Sequence, residues 1–539
     1  MVKMDTKKIL DTIKQNLTPA KIFLFITLSL VIFVRLRLLS MPLDRDEGCW
    51  AYGGWLLLTG NPPYSYFYEV KMPGIYFLYA LIMAIFGQTI EGIRTGILIT
   101  ILVNMFLVYK LSLKLSNDLD KGLLASSFYG ILTLDYGTLS LSGYSSHFVL
   151  TFVMLSLIFL LDAIEKQKIV LFFVSGLFAG IAFLVKQPAV FFILFFILYI
   201  FLIGIMKNTK KTIINTTAFI FGALIIFLTV CFIMKVYGVF DRFWFMTVVY
   251  AFKHAGTVPI NKIFKNFIFF LNITSIFFKT ILFFILIYIF LILFFLKELD
   301  KKLFYLILIL SCIAFSSSGF YFRQHYFIVF FLPLSFIFVE QSFNLSNGKV
   351  ILSKKTINLF FIFILTLLIT TQYGILFKFN AIQVSRILFT KNPFPESIEI
   401  AKFIEKNTNP DDKIAILGSE SQILFYARRK SATGYTSFIH LFDKNEIADK
   451  FQVDAIKEIE TAHPKYFIFV NIGSSWLIHS NSSKRILNWF QNKIIRKELE
   501  LEGIIDIISP DKTVYVWGKE AEKYKIMTPY WIAVLKARK

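Results

Sequence analysis

Cysteine is almost missing from this chain. Cys49, Cys231 and Cys312 are the three among 539 residues. They show no metal-ligand spacing and two of them fall inside long apolar runs, which argues against a disulfide framework. Acidic residues are also scarce, 35 against 57 lysines and arginines, for a formal net charge of +22. That excess would suit nucleic acid, but the lysines lie in short clusters between apolar segments, so no nucleic-acid partner is expected. The C-terminal tail has no G-x-G-x-x-G loop, and no nucleotide site is assigned to it. No small-residue cleavage site follows the first apolar run. The basic N-terminus (Lys3, Lys7, Lys8, Lys14, Lys21) therefore reads as leading into an uncleaved signal anchor.

What the chain has in abundance is apolar surface. Hydrophobic residues make up 56%, phenylalanine alone accounts for 64, and mean hydropathy is +0.67. Apolar runs of membrane-spanning length are expected near 22–40, 93–113, 122–138, 147–163, 169–186, 189–206, 212–235, 275–296, 302–320, 326–343 and 355–377. Between them lie Lys110, Lys114 and Lys121; Lys166 and Lys168; Lys207, Lys210 and Lys211; Lys297, Lys301 and Lys302; and Lys349, Lys354 and Lys355. With a cytoplasmic N-terminus all of these fall inside, as the positive-inside rule requires. The parity holds only if the short apolar stretch 73–88 is an interfacial or re-entrant helix on the outer side. If it spans, every later loop reverses.

The expected fold class is a polytopic α-helical membrane protein of the plasma (inner) membrane, with about eleven spans, outer juxtamembrane helices and a C-terminal extracytoplasmic α/β domain. The divisions are a cytoplasmic segment 1–21, a transmembrane domain 22–377 with a first outer loop at 41–92, and a soluble domain 378–539. In that last part "SIEIAKFIEKNTNPDD" reads as helix and "KIAILGS" as strand. "AIKEIETAHPKYFIFVN" repeats the order, and "KTVYVWG" is a further strand.

Unusual polar residues gather at the outer ends of these spans. "MPLDRDEGCWAY" carries Asp44, Asp46 and Glu47, followed by large apolar residues at helical spacing that are expected to lie flat on the outer leaflet. "YEVKMPGIY" places Glu69 and Lys71 before Pro73, which opens the interfacial helix. Asp135 and His147 flank "SLSGYSSH"; Lys186 ends "GIAFLV"; the loop 236–274 holds Asp241, Arg242, Lys253 and His254; "GFYFRQHYF" presents Arg323, His325 and Tyr326. Arg35 and Arg37 read as headgroup anchors. Lys186 breaks the charge pattern, and a charge at such a place is a functional candidate. A carboxylate at the interface suits general-base work on a hydroxyl or amine. Nearby cations suit a phosphate that leaves with negative charge. Together they point to displacement of a lipid phosphate from a sugar.

The first outer loop, "PLDRDEGCWAYGGWLLLTGNPPYSYFYEVKMPGIYFLYALI", resembles that of GT-C glycosyltransferases of the protein O-mannosyltransferase and lipid A aminoarabinose transferase type. "GIAFLVKQPAV" and "FRQHYFIVFFLPL" are similar to further segments of that group. The resemblance runs from about 20 to 345 and implies a GT-C fold. It also implies inverting transfer from a polyprenyl-phosphate sugar donor to an extracytoplasmic acceptor. By the same resemblance Asp46 is the general base, with Glu47 and Asp44 as the other candidates. Lys71 matches the lysine placed near the donor phosphate, although K-M-P stands here where the group has K-P-P. Lys186 and Arg323 are carried over as donor-phosphate contacts, and His147, His325 and Tyr326 as substrate contacts. No catalytic metal and no cofactor are expected. The main alternative is a transporter or flippase of lipid-linked sugars, disfavoured because no internal repeat is found and the charges lie at one face. A ligase or polymerase moving a whole glycan, and a catalytically inactive scaffold, are the others.

Overall fold

The computed structural model describes residues 18–205, 208–256, 258–296, 298–336, 342–345, 348–351 and 353–538. Lys3, Lys7, Lys8, Lys14, Lys207 and Lys297 lie outside them, as does part of the span expected at 326–343. The chain divides into two compact units. One takes residues up to 37, 97–229 and 260–378; the other takes 38–96, 230–259 and everything from 379.

Eight described helices are long and apolar enough to cross a bilayer: Pro19–Arg37, Ile90–Ser116, Ser145–Lys166, Gln187–Ile205, Thr209–Val236, Ile276–Phe294, Leu299–Phe320 and Lys354–Lys378. Each overlaps one of the eleven expected spans, and the protein is a multi-pass membrane protein. The three other expected spans are shorter. Leu119–Leu132 stops at 14 residues because Thr133 caps it before the turns around Asp135 and Gly137. Ile169–Val185 has 17. The stretch from Gln324 is a 3-10 turn running into the short helix Phe331–Ser335. Gly74–Phe86, in the expected interfacial segment, has 13 residues. At 1.5 Å per residue it is about 20 Å long, against a hydrocarbon core of about 30 Å.

Within the first unit, close helix packing rests on small residues. A Cβ placed on Gly176 would lie 2.0 Å from the Phe219 carbonyl oxygen, and one on Gly180 2.6 Å from that of Ala223. This is the small-xxx-small contact that lets membrane helices touch backbone to backbone. Arg35 is no headgroup anchor. It is 6% exposed, and its guanidinium donates to the carbonyls of Thr133 (3.1 Å), Ser140 (3.0 Å) and Leu141 (3.5 Å). Those carbonyls sit in a turn, where the cation adds donors to those supplied by Ser140 Oγ and His147 Nε2. Two short strands, β1 (Ser342–Leu345) and β2 (Gly348–Ile351), pair antiparallel.

The second unit contains a five-stranded sheet: β3 (Ile414–Leu417), β4 (Tyr466–Asn471), β5 (Leu499–Ser509), β6 (Lys512–Trp517) and β7 (Trp531–Ala537), in the order β3-β4-β7-β5-β6. Only β3 and β4 run parallel, joined through the helix Glu446–Ala462. The helix Arg45–Leu58, within the stretch 41–92, belongs to this unit. Its apolar residues do not lie open on a leaflet; ten of its fourteen residues, Glu47 to Leu56, are buried. Protein surrounds it, with Gly74–Phe86 on one side and Ser421–Ala427 on another. Gly48 is what permits the second contact, since a Cβ there would lie 2.5 Å from the Gln422 Cβ and 2.9 Å from its Cα. Gly48→Ala is expected to lower stability by about 1–3 kcal/mol through overpacking against backbone. A thermal-unfolding midpoint equal to that of the parent would contradict this packing.

Candidate functional site

Three carboxylates within four residues meet three different fates. Asp44 is the N-cap of the helix Arg45–Leu58: its Oδ1 accepts from the Glu47 amide (2.9 Å), while its own amide donates to Glu47 Oε2 (3.2 Å). This reciprocal capping box fixes how the chain enters the helix. Glu47 is 0% exposed and takes a two-pronged bond from Arg94, 2.5 Å to Oε1 and 2.8 Å to Oε2. Arg94 in turn donates to the carbonyls of Met41 (3.1 Å) and Pro42 (3.0 Å). Asp46 points elsewhere. Its side chain is 36% exposed, and Oδ1 lies 3.5 Å from Lys71 Nζ.

Lys71 also stands 3.7 Å from Glu69 Oε2, so one ammonium bridges an exposed and a buried carboxylate. Its backbone is held as well: the buried Tyr64 donates its hydroxyl to the Lys71 carbonyl at 2.6 Å. Arg45, one residue before Asp46, donates to Glu420 Oε1 (2.7 Å) and Asn392 Oδ1 (3.2 Å), which ties the helix start to the C-terminal tail. Cys49, one turn beyond Asp46, is buried. Burial, with the negative charge of Glu69 adding to it, pushes its thiol well up, so it stays protonated and is no nucleophile.

From Glu69 a polar chain continues through the unit. Glu69 Oε1 lies 3.8 Å from His440 Nε2, and His440 Nδ1 lies 3.7 Å from Asp443 Oδ2. The same oxygen is 2.7 Å from His254 Nδ1 and accepts from the Tyr250 hydroxyl at 2.5 Å. Burial alone would raise the Asp443 carboxyl. The hydrogen bonds and charge of His254 and His440 outweigh it and hold that carboxyl well below the usual range.

The remaining candidates belong to the first unit. Lys186 is 6% exposed, with Nζ 4.0 Å above the Tyr326 ring, 5.3 Å from that of Phe315, and 3.3 Å from Ser146 Oγ. A cation on an aromatic face retains part of its solvation when desolvated. His325 stacks on Tyr144 with centroids 3.9 Å apart. Arg323 is exposed, 5.5 Å from the Tyr321 ring. His147 is fully buried, its Nε2 3.0 Å from the Ser140 carbonyl, so in this conformation the ring serves the same turn as Arg35. Asp135 is likewise enclosed: its Oδ1 accepts from Ser275 Oγ (2.5 Å) and Gln372 (2.8 Å), and its Oδ2 from the Thr138 amide (2.9 Å).

The structure thus brings together Asp46, Lys71 and Glu69, and separately Lys186 with Tyr326. The sequence reading missed Arg94, His440 and Asp443. Arg94 carries a recognisable signal, a cation in the first turns of an apolar helix. His440 and Asp443 carry none, being two polar residues in an ordinary tail.

Residues 70–234 match the model of the family described as dolichyl-phosphate-mannose-protein mannosyltransferase. A search of the curated proteins gives no significant match. Among solved structures the chain is similar to ArnT from Cupriavidus metallidurans, bound to undecaprenyl phosphate. The TM-score is 0.53 at 11% identity, covering 95% of this chain and 97% of that one. It also aligns with the oligosaccharyltransferase AglB from Archaeoglobus fulgidus, in complex with an inhibitory peptide and a dolichol-phosphate. There the TM-score is 0.46 at 11% identity, covering 94% of this chain and 75% of that one. Part of the chain, from the end of the first loop through the following helices, thus matches that family's model, and nearly the whole chain is similar in fold to ArnT.

Proposed function

We propose that this protein is an inverting glycosyltransferase that moves a sugar from a polyprenyl-phosphate donor to an extracytoplasmic acceptor, with Asp46 as general base. The observation that carries the reading is the pairing of Asp46 with Lys71 at 3.5 Å, while Asp44 and Glu47 are engaged in the capping box and the Arg94 pair. The family match supports a lipid-phosphate sugar as donor. The fold shared with ArnT, bound to undecaprenyl phosphate, is consistent with a polyprenyl carrier.

In this mechanism the acceptor hydroxyl or amine attacks the anomeric carbon and its proton passes to Asp46. The bond from that carbon to the phosphate oxygen breaks on the opposite face, and polyprenyl phosphate departs with the electron pair. The leaving group is stable as an anion and needs no acid, which sets the reaction apart from two-carboxylate glycoside hydrolysis. Lys71 serves both ends of the step. Before the donor arrives it neutralises Asp46; drawn to the phosphate, it balances the leaving charge and releases Asp46 to take a proton. Lys186, seated on Tyr326, and Arg323 are kept as contacts for an anionic lipid headgroup within their own unit, and His325 as a substrate contact there. The membrane is the plasma (inner) membrane, with the N-terminus cytoplasmic and residues from 378 outside.

The reading is tested with the purified protein in liposomes and a panel of polyprenyl-phosphate sugars, scoring release of polyprenyl phosphate together with a glycosylated acceptor. Lys71→Met is expected to lower kcat/KM by about 100-fold, the scale for losing one donor to a developing anion. Movement of labelled donor across the bilayer with no release of polyprenyl phosphate would favour the flippase instead.

A further inference from the structure

We propose that the second unit carries a carbohydrate-binding pocket where Tyr68, Arg242 and the tail meet, serving as a docking subsite for a saccharide acceptor. A cavity of about 480 Å³ opens there, lined by residues from 65–68, by Arg242 and by the tail between 413 and 462. That volume falls in the range of small-molecule sites, about 300–1,000 Å³. Its lining residues take no part in the Asp46–Lys71 pair or in the polar chain that starts at Glu69.

The wall is built before any ligand arrives. Glu458, on the helix Glu446–Ala462, ties two other segments to that helix. Its Oε1 accepts from the Tyr68 hydroxyl (2.9 Å), and its Oε2 from the Thr433 hydroxyl (2.7 Å) and the Gly434 amide (2.8 Å). The Tyr68 amide donates to the Gly434 carbonyl at 2.5 Å, and a Cβ on Gly434 would stand 2.2 Å from the Tyr68 Cζ. Arg242 covers the same ring, its guanidinium carbon 3.8 Å from the centroid. A pocket ordered in advance spends little of its binding energy on immobilising side chains.

The lining then selects the ligand. The Arg242 side chain is 45% exposed with one nitrogen 3.7 Å from Glu458 Oε1, and its fork of five N–H donors has more to offer. Lys413 and Lys457 add positive charge, and Asp454 negative. An apolar ligand would strand these charges away from water. A bare anion would meet the carboxylates of Asp454 and Glu458 as well as the cations, and like-charge contact selects against it. A saccharide carries donors and acceptors all round its ring and serves both signs at once. Tyr66, 36% exposed in the same wall, offers a ring face whose negative charge attracts the C–H groups of a sugar. Tyr68 precedes Lys71 by three residues, at most about 11 Å of extended chain, so an oligosaccharide seated here is within reach of Asp46. That the occupant is the acceptor rests on the glycosyltransferase reading; that the pocket binds saccharide does not.

The test uses the full chain in lipid nanodiscs, because a maltoside detergent would itself compete for a sugar site. Calorimetry and saturation-transfer NMR score maltotriose, chitotriose and trigalacturonate, with inorganic phosphate as the bare anion. At least one saccharide is expected to bind with a dissociation constant of about 1 mM or tighter. Arg242→Ala and Tyr66→Ala remove exposed side chains, so both should keep the parent's unfolding midpoint. Each should weaken binding by about 10-fold, the scale of one lost charged hydrogen bond or stacked ring. No saccharide bound by the wild type, phosphate bound alone, or undiminished binding in both folded variants overturns the proposal. The acceptor role is read separately: both variants should raise KM for a saccharide acceptor about 10-fold with kcat little changed. An unchanged KM in variants that have lost saccharide binding overturns that role. Saccharide binding in a protein that transfers no sugar would overturn the reaction and leave the pocket standing.

Discussion

Asp46→Asn is expected to abolish sugar transfer while leaving the protein folded. Losing a positioned general base costs about 10²–10⁴-fold, and the upper end applies to a reaction whose acceptor needs its proton removed during attack. Asparagine keeps the shape and one acceptor oxygen, so what is lost is the site for the proton. Little stability should go with it. The carboxylate is 36% exposed and its 3.5 Å pairing with Lys71 is partly screened by solvent, a class of ion pair worth at most about 1 kcal/mol. The decisive comparison is turnover of the best donor by wild type and variant, with donor binding measured in parallel. Loss of turnover with binding retained identifies the base. Full activity in Asp46→Asn would move that role to Asp44 or Glu47, although each is buried and already bonded.

The second large effect concerns stability. Glu47→Gln leaves the buried Arg94 guanidinium with one amide oxygen and the Met41 and Pro42 carbonyls as acceptors but without a compensating negative charge. Removing one member of a buried, two-pronged ion pair costs about 3–5 kcal/mol, because the surviving charge has lost its compensation. The unfolding midpoint in detergent should fall steeply. The double replacement Glu47→Gln with Arg94→Gln should restore a large part of it, since neither charge is then stranded. Additive losses in the double variant would show that the two side chains are not a coupled pair. If the single variant keeps its full stability yet loses turnover, Glu47 has a chemical role that its burial does not suggest.

These contrasts mark how far the sequence reaches. The acidic cluster and Lys71 stand out from the chain by composition and order alone, because charges beside apolar runs are rare. Their separate fates do not. Asp44, Asp46 and Glu47 lie within the cap and first turn of one helix, and which of them meets solvent depends on Arg94, 47 residues further along the chain. The same limit applies to Arg35. A cation at a helix end reads as a headgroup anchor until the turn at 133–141 is seen to place three carbonyls around it.

By itself the sequence determined that this is a multi-pass helical protein, where most of its spanning helices lie, and which polar residues are out of place among them. It could do so because hydrophobic run length and helical period are local properties of the chain. It also contained the helix–strand order of the tail, but not that β5 and β7 complete the sheet, with β7 between β4 and β5. Only the tertiary structure decided that residues 38–96, residues 230–259 and the tail form one compact unit, that the helix Arg45–Leu58 is enclosed by protein, and that His254 comes within 2.7 Å of Asp443. Those contacts join residues up to 390 positions apart, and no local pattern encodes them: burying the apolar faces of three distant segments together is what brings their polar groups within bonding distance.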